Sequence, residues 1–217
     1  MTDVLEQIIK SPRLPRYVAE LQQLIDSERL RRHRFYDEMT DSQKVEFING
    51  EIVVQSPAKY RHTLVVGNIH NLLNAYVRRN DLGFVGGEKM LITLPRNDYE
   101  PDVCYFRKEI AAQFNPEQTQ FPAPGLAVEV LSPATAATDR KTKFEDYADN
   151  GVQEYWIVDP DREQVEQYFL VAGRYELQVK ADTGEIKCAA IAGLVLPVRA
   201  IFDAVSNQAA LKSILVG

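Results

Sequence analysis

The sequence predicts a mixed α/β fold, in which a mixed (α+β) sheet is packed against helices. Three features predict this class: one strongly amphipathic helix, several short apolar strands, and a strand–helix–strand crossover in the second half of the chain. The chain has 217 residues, of which 45% are hydrophobic. A chain of that length and composition can form a sizeable core without disulfides or a structural metal.

The first 40 residues are predicted to form an N-terminal helical extension, and residues 41–217 a single domain. Apolar residues recur at helical steps over 17–25. A cluster of cations follows at 29–34 and fits two alternatives. It is either an arm that contacts phosphates or a solvated helix face paired with acids such as Glu28.

Residues 45–54 are predicted to form a β-hairpin, because two short β-prone runs flank Asn49-Gly50. Asn-Gly is the dipeptide that best tolerates the positive φ angles of a type I′ turn. The segment 61–79 places its apolar residues on one helical face. It is therefore predicted to be a helix.

The remaining elements are predicted from short apolar runs and the turn residues between them. In chain order they are strands at 83–94, 101–106 and 126–131, a helix at 139–149, a strand at 153–158, a C-terminal β-meander from residue 164 with a turn at Ala172-Gly173, and a helix at 201–215. The core order from residue 61 is thus helix, three strands, helix, strand. Its last three elements form a β-α-β crossover.

The composition excludes several classes of protein. Cys104 and Cys188 match no zinc or redox spacing, so both are expected to be reduced core residues in a reducing compartment. No run approaches the ~18 apolar residues of a membrane helix, and the first residues carry acids where a signal peptide carries cations. A cytoplasmic protein without a membrane partner is expected. The net charge of −6 argues against a general nucleic-acid coat, so any nucleic-acid site must be local.

Glu129 is the least expected residue of the apolar run at 126–131. A buried carboxylate is strongly unfavourable there unless it is paired or binds a metal. Alternation along a strand puts Glu129 on the face shared with Ala127 and Leu131. The residue is therefore either a buried acid with a partner or an edge-strand Glu facing solvent, and we favour the first.

Asp102 begins the strand expected to neighbour that of Glu129. Neighbouring strands lie ~4.8 Å apart, so carboxylates on one face of adjacent strands could share a hard divalent cation such as Mg²⁺. Without Glu129 beside it, Asp102 would be interpreted as a turn residue, because Pro-Asp pairs are common in turns. The two acids together indicate a metal site.

The helix after Glu129 supplies two lysines, Lys141 and Lys143. They flank its apolar face on opposite sides, so only one is expected to reach the strand ends. The pattern alone does not choose between them. Lys143 could equally form an ordinary surface ion pair with Asp139, four residues earlier.

Several segments combine into a specific pattern: Pro101-Asp102 and the runs at 128–133, 139–147 and 151–160, with 46–51 and His62 before them. This pattern resembles the bacterial Uma-two family of restriction-endonuclease-like proteins over residues 40 to 200. The resemblance implies the PD-(D/E)XK nuclease fold, with its restriction-endonuclease-like core of helix, three strands, helix, strand. That order is the one predicted independently from the residues.

The resemblance also implies a metal site. Asp102 and Glu129 would bind Mg²⁺, with Mn²⁺ as a possible substitute, and the Val130 carbonyl would be a further ligand. These are oxygen donors of the kind that such cations prefer.

The chain departs from the superfamily signature, because Leu131 stands where a lysine is usual, two positions after Glu129. The family pattern implies that the lysine has moved to Lys143, with Lys141 as the fallback. His62 falls where related nucleases carry a glutamate near the metal, so it could assist substrate or water. A lone His is otherwise a capping or core residue.

The function implied by the resemblance is Mg²⁺-dependent hydrolysis of DNA phosphodiester bonds, with Lys143 assisting the attacking water. DNA is then the expected partner, and the cation-rich, acid-free run at 57–80 would suit contact with phosphates. Exposed apolar residues of the N-terminal helix could support a homodimer. Two alternatives stay open: a catalytically inactive nuclease fold that binds a partner, and a small-molecule phosphoesterase using the same metal.

Overall fold

The computed structural model describes residues 3–40 and 43–216 and has the predicted mixture of helices and strands. Within those ranges the helices are α1 (Asp3–Lys10), α2 (Leu14–Glu38), α3 (Tyr60–Arg79), α4 (Lys108–Ala111), α5 (Ala136–Arg140), α6 (Thr142–Asp149), α7 (Arg199–Phe202) and α8 (Ala204–Val216). The strands are β1 (Val45–Ile48), β2 (Glu51–Val54), β3 (Gly83–Gly87), β4 (Leu91–Thr93), β5 (Asp98–Tyr99), β6 (Val103–Arg107), β7 (Gln120–Phe121), β8 (Leu126–Val130), β9 (Glu154–Asp159), β10 (Gln164–Val171), β11 (Arg174–Ala181), β12 (Glu185–Lys187) and β13 (Val195–Pro197). None of the described helices has both the length and the apolarity needed to cross a membrane.

The chain divides into two compact units. The first comprises residues 1–55 with 95–97, and the second comprises 56–94 with 98–217. The domain boundary predicted from the sequence falls at residue 40, next to residues 41 and 42, which lie outside the described ranges. The boundary at residue 40 stays a prediction.

In the first unit, β1 and β2 form the predicted hairpin. The strands pair antiparallel, and Ile48 lies opposite Glu51 at the turn. Asn49 has a φ of 51° and Gly50 a φ of 85°, which are the positive values that a type I′ turn requires. The hairpin prediction is confirmed.

Two arginines of the predicted cation cluster fasten α2 to turns of the same unit. Arg31 donates a hydrogen bond to the Gly50 carbonyl at 2.8 Å, and Arg32 donates one to the Asn97 carbonyl at 3.1 Å. Both guanidinium groups therefore donate to backbone carbonyl oxygens. Each of these two side chains therefore anchors the helix to a turn, and Arg31 also interacts with Glu28, the acid named in the second alternative.

Two further contacts hold the C-terminal half of α2 in place. Glu28 accepts hydrogen bonds from Arg96 at 2.8 and 3.0 Å, and Phe35 packs against Phe47 with ring centroids 5.8 Å apart. The hydrogen bond from Arg96 holds the pKa of Glu28 below its ordinary value. This part of α2 is therefore fixed by both polar and apolar contacts.

The second unit is built on a six-stranded mixed sheet with the order β11-β10-β9-β8-β6-β3. β8 and β9 are parallel, and the other neighbours are antiparallel. Helices α5 and α6 connect β8 to β9, which confirms the predicted β-α-β crossover. Outside this sheet, β4 pairs antiparallel with β5 and parallel with β7.

Helix α3 and the sheet share one hydrophobic cluster. On β8 the members of the cluster are Leu126, Val128 and Val130. Successive side chains of a strand point to opposite faces, so Glu129 lies on the other face of β8. The fold thereby separates an apolar core on one side of the strand from a polar site on the other.

Two predicted elements between residues 61 and 158 are each divided in two. The strand predicted at 83–94 is β3 and β4, separated by a turn at Lys89, which has a φ of 69°. The helix predicted at 139–149 is α5 and α6, because Lys141 has a non-helical φ of −126° and ψ of −74°. The prediction of one continuous element was wrong at both places.

The C-terminal part follows the prediction more closely. β10 and β11 form a hairpin whose turn, Ala172-Gly173, has φ values of 48° and 80°. The prediction of one continuous helix at 201–215 was wrong, because α7 and α8 are separated at Asp203, which has an extended φ of −114° and ψ of 127°. Its carboxylate accepts a hydrogen bond from the Ser206 amide at 2.7 Å, so Asp203 caps the start of α8.

Candidate functional site

Glu129 lies in the middle of the main sheet, since β8 is flanked by β6 and β9. It is only 3% exposed. Its Oε1 accepts hydrogen bonds from Lys143 Nζ at 3.0 Å and from the Tyr147 hydroxyl at 3.2 Å. Glu129 is therefore the buried acid with a partner that the sequence favoured, and the edge-strand alternative was wrong.

Lys143 lies on α6 and is as deeply buried as Glu129, at 1% exposure. Its ammonium group also lies 3.4 Å from Asp139 Oδ1 and 5.5 Å from the centre of the Tyr99 ring. The predicted pair with Asp139 exists, but it is buried and bridges the break between α5 and α6. A buried ammonium requires compensating charge, and here two carboxylates provide it.

The two candidate lysines have different surroundings. Lys141 forms the junction between α5 and α6 and is exposed to solvent. Lys143 lies one position inside α6, where its side chain reaches Glu129 on β8. The fold thus brings Lys143, rather than Lys141, to the predicted acid.

Asp102 precedes β6 and is 3% exposed. Its Oδ2 accepts a hydrogen bond from the Val130 amide at 2.8 Å and lies 3.3 Å from His62 Nε2. The β6–β8 register pairs Val103 with Val128, and continuing it by one step puts Asp102 opposite Glu129. Opposite residues of an antiparallel pair lie on the same face.

Asp102 belongs to a set of three possible metal ligands. One ligand atom from each of His62, Glu88 and Asp102 lies within 4.8 Å of the others. Two carboxylates and an imidazole suit a divalent cation such as Mn²⁺, and the carboxylates also suit Mg²⁺. The donor set therefore fits the predicted metal, with Asp102 common to this set and to the predicted pair with Glu129.

Glu88 and Asp139 were not singled out from the sequence as site residues. Glu88 follows Gly86-Gly87 in what looked like a single strand, so nothing marked it as a turn residue reaching Asp102. Asp139 was recognised only as a surface partner of Lys143. Its one local signal was its four-residue spacing from Lys143.

Aromatic side chains support the buried ion pairs from the sheet and α6. The Tyr155 hydroxyl donates a hydrogen bond to the Asp139 carbonyl at 3.1 Å, and the rings of Tyr155 and Tyr147 lie 5.3 Å apart. Burial raises the pKa of Tyr155 well above its ordinary value, and the charges of Glu129 and Asp139 raise it further. Tyr155 is thus held in its neutral, hydrogen-bond-donating form.

Glu166 on β10 anchors the helix that carries Asp139. It accepts hydrogen bonds from Arg140 at 2.6 and 3.3 Å and from Tyr168 at 2.8 Å, and it pairs with Lys180 at 2.9 Å. Burial alone would raise the pKa of Glu166, but these partners outweigh it and lower the pKa to about 2. Glu166 is therefore a stable anion that holds α5 on the sheet.

The cations of the run at 57–80 do not form one cluster. Arg61 is at the start of α3 and pairs with Asp161, whereas Arg79 is at its end and donates to the Ile214 carbonyl. The step of 18 positions from Arg61 to Arg79 corresponds to a rise of ~27 Å in a helix. A phosphate-facing patch made from the whole run is therefore not present.

Comparisons with known proteins give a consistent result. The model of the Uma2 family, described as "Putative restriction endonuclease", matches residues 28–199. The uncharacterized protein sll1609 of Synechocystis sp. is 30% identical over 151 residues, which span 67% of this chain and 84% of that protein.

The fold matches a crystal structure from Anabaena variabilis, described as a putative nuclease belonging to DUF820. The TM-score is 0.67 at 18% identity, and the match covers 82% of this chain and 96% of the other. At this identity the likeness shows the fold alone. The predicted fold class, a mixed sheet of the nuclease type, is confirmed.

Proposed function

This chain belongs to the Uma2 family, and from that premise we propose that it is a divalent-metal-dependent endonuclease that hydrolyses the phosphodiester bonds of DNA. The observation that carries the proposal is the connection of three predicted residues in one buried network. Asp102 accepts a hydrogen bond from the amide of Val130. Lys143 donates a hydrogen bond to Glu129, which immediately precedes Val130 in the chain. Opposite charges are thereby concentrated at adjacent ends of β6 and β8.

Asp102 and Glu129, with the Val130 carbonyl, would hold Mg²⁺ or Mn²⁺. When bound, the cation would supply Lewis-acid polarisation of the scissile phosphate and would favour ionisation of a water. The predicted pair and the His62–Glu88–Asp102 set share Asp102. We therefore regard Asp102 as the central ligand.

Lys143 would orient the attacking water or offset the charge that develops on the phosphate. Its ammonium is held between Glu129 and Asp139, so its position is fixed before substrate arrives. His62, whose Nε2 lies beside Asp102, would assist substrate or water from the other side.

We propose DNA as the partner and a homodimer as the acting form. The family supports a nucleic-acid substrate, and a two-fold dimer would present one site to each strand of a duplex. Because the cations of α3 are divided between its two ends, contact with DNA would involve phosphates at separate positions.

The test is cleavage of supercoiled plasmid and of single-stranded DNA with Mg²⁺, with Mn²⁺ or with EDTA. We expect metal-dependent nicking that EDTA stops and that Glu129→Gln lowers by at least about 100-fold. This substitution keeps the size of the side chain and removes its charge. Glu51→Gln, which changes an exposed acid of the hairpin, is the matched control and should cleave like the unaltered protein.

Cleavage that persists in EDTA or in Glu129→Gln would contradict the proposed site. If DNA is not cleaved, a small phosphodiester such as bis-p-nitrophenyl phosphate distinguishes the alternatives. Metal-dependent hydrolysis of that compound alone would favour the phosphoesterase, and no hydrolysis of either substrate would favour the binding protein.

A further inference from the structure

An open cavity lies beside the candidate site, where β8 and β9 end. Its volume is about 460 Å³. The residues that line it stand at the ends of these two strands or carry a charge, and they include Leu131, Asp159, Arg140, Arg162, Glu166 and Lys180. All of them belong to the second unit. The cavity is therefore formed within one compact unit, which also contains the candidate site.

The register of the sheet places this cavity on the same face as Glu129. The β8–β9 register pairs Glu129 with Ile157, and the β9–β10 register pairs Ile157 with Glu166. Paired residues of neighbouring strands lie on the same face. Neighbouring strands are ~4.8 Å apart, so Glu166 lies two strands, or ~10 Å, from Glu129 in one row of the sheet. Leu131 lies two residues after Glu129, a step of ~6.6 Å along the strand, so the cavity borders the proposed metal site in both directions.

One group of charges in the cavity has a net positive charge. Arg140 and Lys180 both form ion pairs with Glu166, with N–O distances of 2.6 and 2.9 Å. Two cations on one carboxylate give this group a net charge of 2 − 1 = +1. The side chain of Glu166 is 6% exposed, whereas those of Arg140 and Lys180 are 40% and 48% exposed. The carboxylate is thus covered, and the excess positive charge faces solvent.

Arg162 is a further cation of the cavity and is weakly held. Its side chain is 77% exposed, and its Nε lies 3.8 Å from Asp159 Oδ2, which is long for a charge-assisted hydrogen bond. Asp159 is instead engaged with the turn after β9, because its Oδ1 accepts hydrogen bonds from the amides of Asp161 and Arg162, both at 3.0 Å. The carboxylate of Asp161 pairs with Arg61 of α3. The acids of this turn thus have other partners, and the Arg162 guanidinium is available to a ligand.

A phosphodiester group matches this arrangement. DNA has one negative charge per phosphate, which complements the excess positive charge on Arg140 and Lys180. A guanidinium binds a phosphate through two parallel hydrogen bonds, and a lysine binds it as a point charge. At a rise of ~3.4 Å per nucleotide in a strand, the ~10 Å from Glu129 corresponds to about three nucleotides. A strand whose scissile phosphate lies at Glu129 can therefore reach the cavity.

We propose that this cavity binds a phosphate of the substrate strand, within about three nucleotides of the scissile bond, through Lys180, Arg140 and Arg162. The inference rests on the proposed function, because the strand cleaved at Asp102 and Glu129 is taken as the source of the phosphate. The cavity supplies affinity and fixes the register of the strand. It takes no part in the hydrolysis itself.

Binding of a short fluorescent DNA oligonucleotide in EDTA tests the proposal without cleavage. Fluorescence anisotropy over a series of salt concentrations gives both the affinity and its salt dependence. We expect Lys180→Gln to weaken binding by about tenfold, which is the loss of one charge-assisted hydrogen bond. It should also reduce the slope of log K against log salt by ~1. Arg162→Gln should have the same two effects.

Two control variants separate the charge of Lys180 from its structural role. Lys180→Arg keeps the charge and should bind the oligonucleotide like the unaltered protein. Lys212→Gln, at an exposed lysine of α8, removes the same charge elsewhere and should change neither the affinity nor the slope. Because Arg140 still pairs with Glu166 in Lys180→Gln, this variant should remain folded, which far-UV circular dichroism checks.

The proposal is overturned if the unaltered protein does not bind the oligonucleotide, if Lys180→Gln and Arg162→Gln both bind like it, or if Lys212→Gln weakens binding equally. Displacement of the oligonucleotide by millimolar inorganic phosphate at constant ionic strength would also overturn it, because the cavity would then be a site for free phosphate. Failure of the nuclease gives a different result. A protein that does not cleave plasmid but binds DNA through Lys180 would contradict the nuclease and support the phosphate site.

Discussion

Lys143, Glu129 and Asp139 form a buried group in which one positive charge faces two negative charges. All three side chains are at most 4% exposed, so water contributes little to their solvation. Each charge then depends on the others for its stability, and removal of one leaves the remainder uncompensated.

Substitution of the two candidate lysines should separate their roles. Lys143→Ala leaves Glu129 and Asp139 buried without their ammonium partner, so we expect the free energy of unfolding to fall by about 3–5 kcal/mol. DNA cleavage per folded molecule should fall by at least about 100-fold. Lys141→Ala, at an exposed position, should change stability by less than about 0.5 kcal/mol.

Urea denaturation and plasmid cleavage, measured on both lysine variants, check this prediction. A loss of cleavage in Lys141→Ala with unchanged cleavage in Lys143→Ala would transfer the catalytic role to Lys141.

The affinity for a metal distinguishes the two possible ligand sets, which are Asp102 with Glu129 and Asp102 with His62 and Glu88. We expect Asp102→Asn and Glu129→Gln each to weaken Mn²⁺ binding by at least about tenfold, and Glu88→Gln to weaken it less, because Glu88 is exposed. Titration calorimetry with Mn²⁺ measures these affinities without reference to cleavage. A larger loss in Glu88→Gln than in Glu129→Gln would place the ion at the His62–Glu88–Asp102 set.

At the scale of elements, α5 depends on its anchor to the sheet. It has five residues, too few to be stable as an isolated helix. Arg140 binds Glu166 on β10, and the neighbouring Asp139 contacts Lys143 on α6. The position of Lys143 is therefore connected to the sheet through α5.

The contact of Glu166 with Arg140 and its other partners should make the stability of the protein depend on pH. The partners of Glu166 lower its pKa from 4.5 to about 2, so the folded state favours the charged form. The stability that this gives is fully present above pH 4.5 and is lost as the pH falls toward 2. Glu166→Gln should lower the free energy of unfolding by about 1.5–3 kcal/mol at neutral pH, and the difference from the unaltered protein should shrink in acid.

Urea denaturation at a series of pH values measures that difference. Glu176→Gln, which changes an exposed acid on β11, is the control and should follow the unaltered protein throughout. A constant difference for Glu166→Gln across the acid range would show that Glu166 acts through packing and not through its charge.

Elements with local sequence patterns could be predicted, and interrupted elements could not. The hairpin at Asn49-Gly50 and the amphipathic α3 follow from turn chemistry and periodicity. The turn at Lys89 has no such pattern, because Lys rarely adopts a positive φ. A side chain at Gly86 would meet the side chain of Met90 across this turn, a contact that the sequence alone does not show.

At the scale of the whole molecule, the predictable part of the site is the part that lies on strands. Glu129 stood out because it interrupts an apolar run, and Asp102 because it begins the neighbouring strand. The choice of Lys143 over Lys141 needed the family pattern, because helical spacing left both open. Glu88 comes near Asp102 only through the turn between β3 and β4, a tertiary feature that no local pattern encodes.

Another buried acid, Glu154, connects the C-terminal segment to the main sheet. It is 0% exposed and accepts hydrogen bonds from five neutral donors. They are Trp156 Nε1 and Gln167 Nε2 at 2.6 Å, the amides of Ala189 and Ala190 at 2.7 and 2.8 Å, and Cys188 Sγ at 3.2 Å. Three of these donors belong to residues 188–190, so one carboxylate connects this segment to the sheet, beside the apolar contacts of Cys188 and Ile191.

The labelling rates of the two thiols, Cys104 and Cys188, distinguish whether the Glu154 carboxylate stabilises only the segment 188–190 or the whole fold. Burial raises the pKa of Cys104 to about 12, and burial with the nearby charge of Glu154 raises the pKa of Cys188 well above its ordinary value. Neither thiol should react with iodoacetamide until the protein opens. In the unaltered protein we expect both to be labelled at the same slow rate, set by global unfolding.

Glu154→Gln should change this pattern, because an amide NH₂ would face donors that need an acceptor. Peptide-resolved mass spectrometry of native labelling should show Cys188 reacting at least about tenfold faster than Cys104, which corresponds to ~1.4 kcal/mol of preferential local opening. Glu176→Gln is again the control and should leave both rates unchanged. Equal acceleration of both thiols would mean that Glu154 stabilises the fold as one cooperative unit, because a segment that opens alone exposes Cys188 and leaves Cys104 in the core.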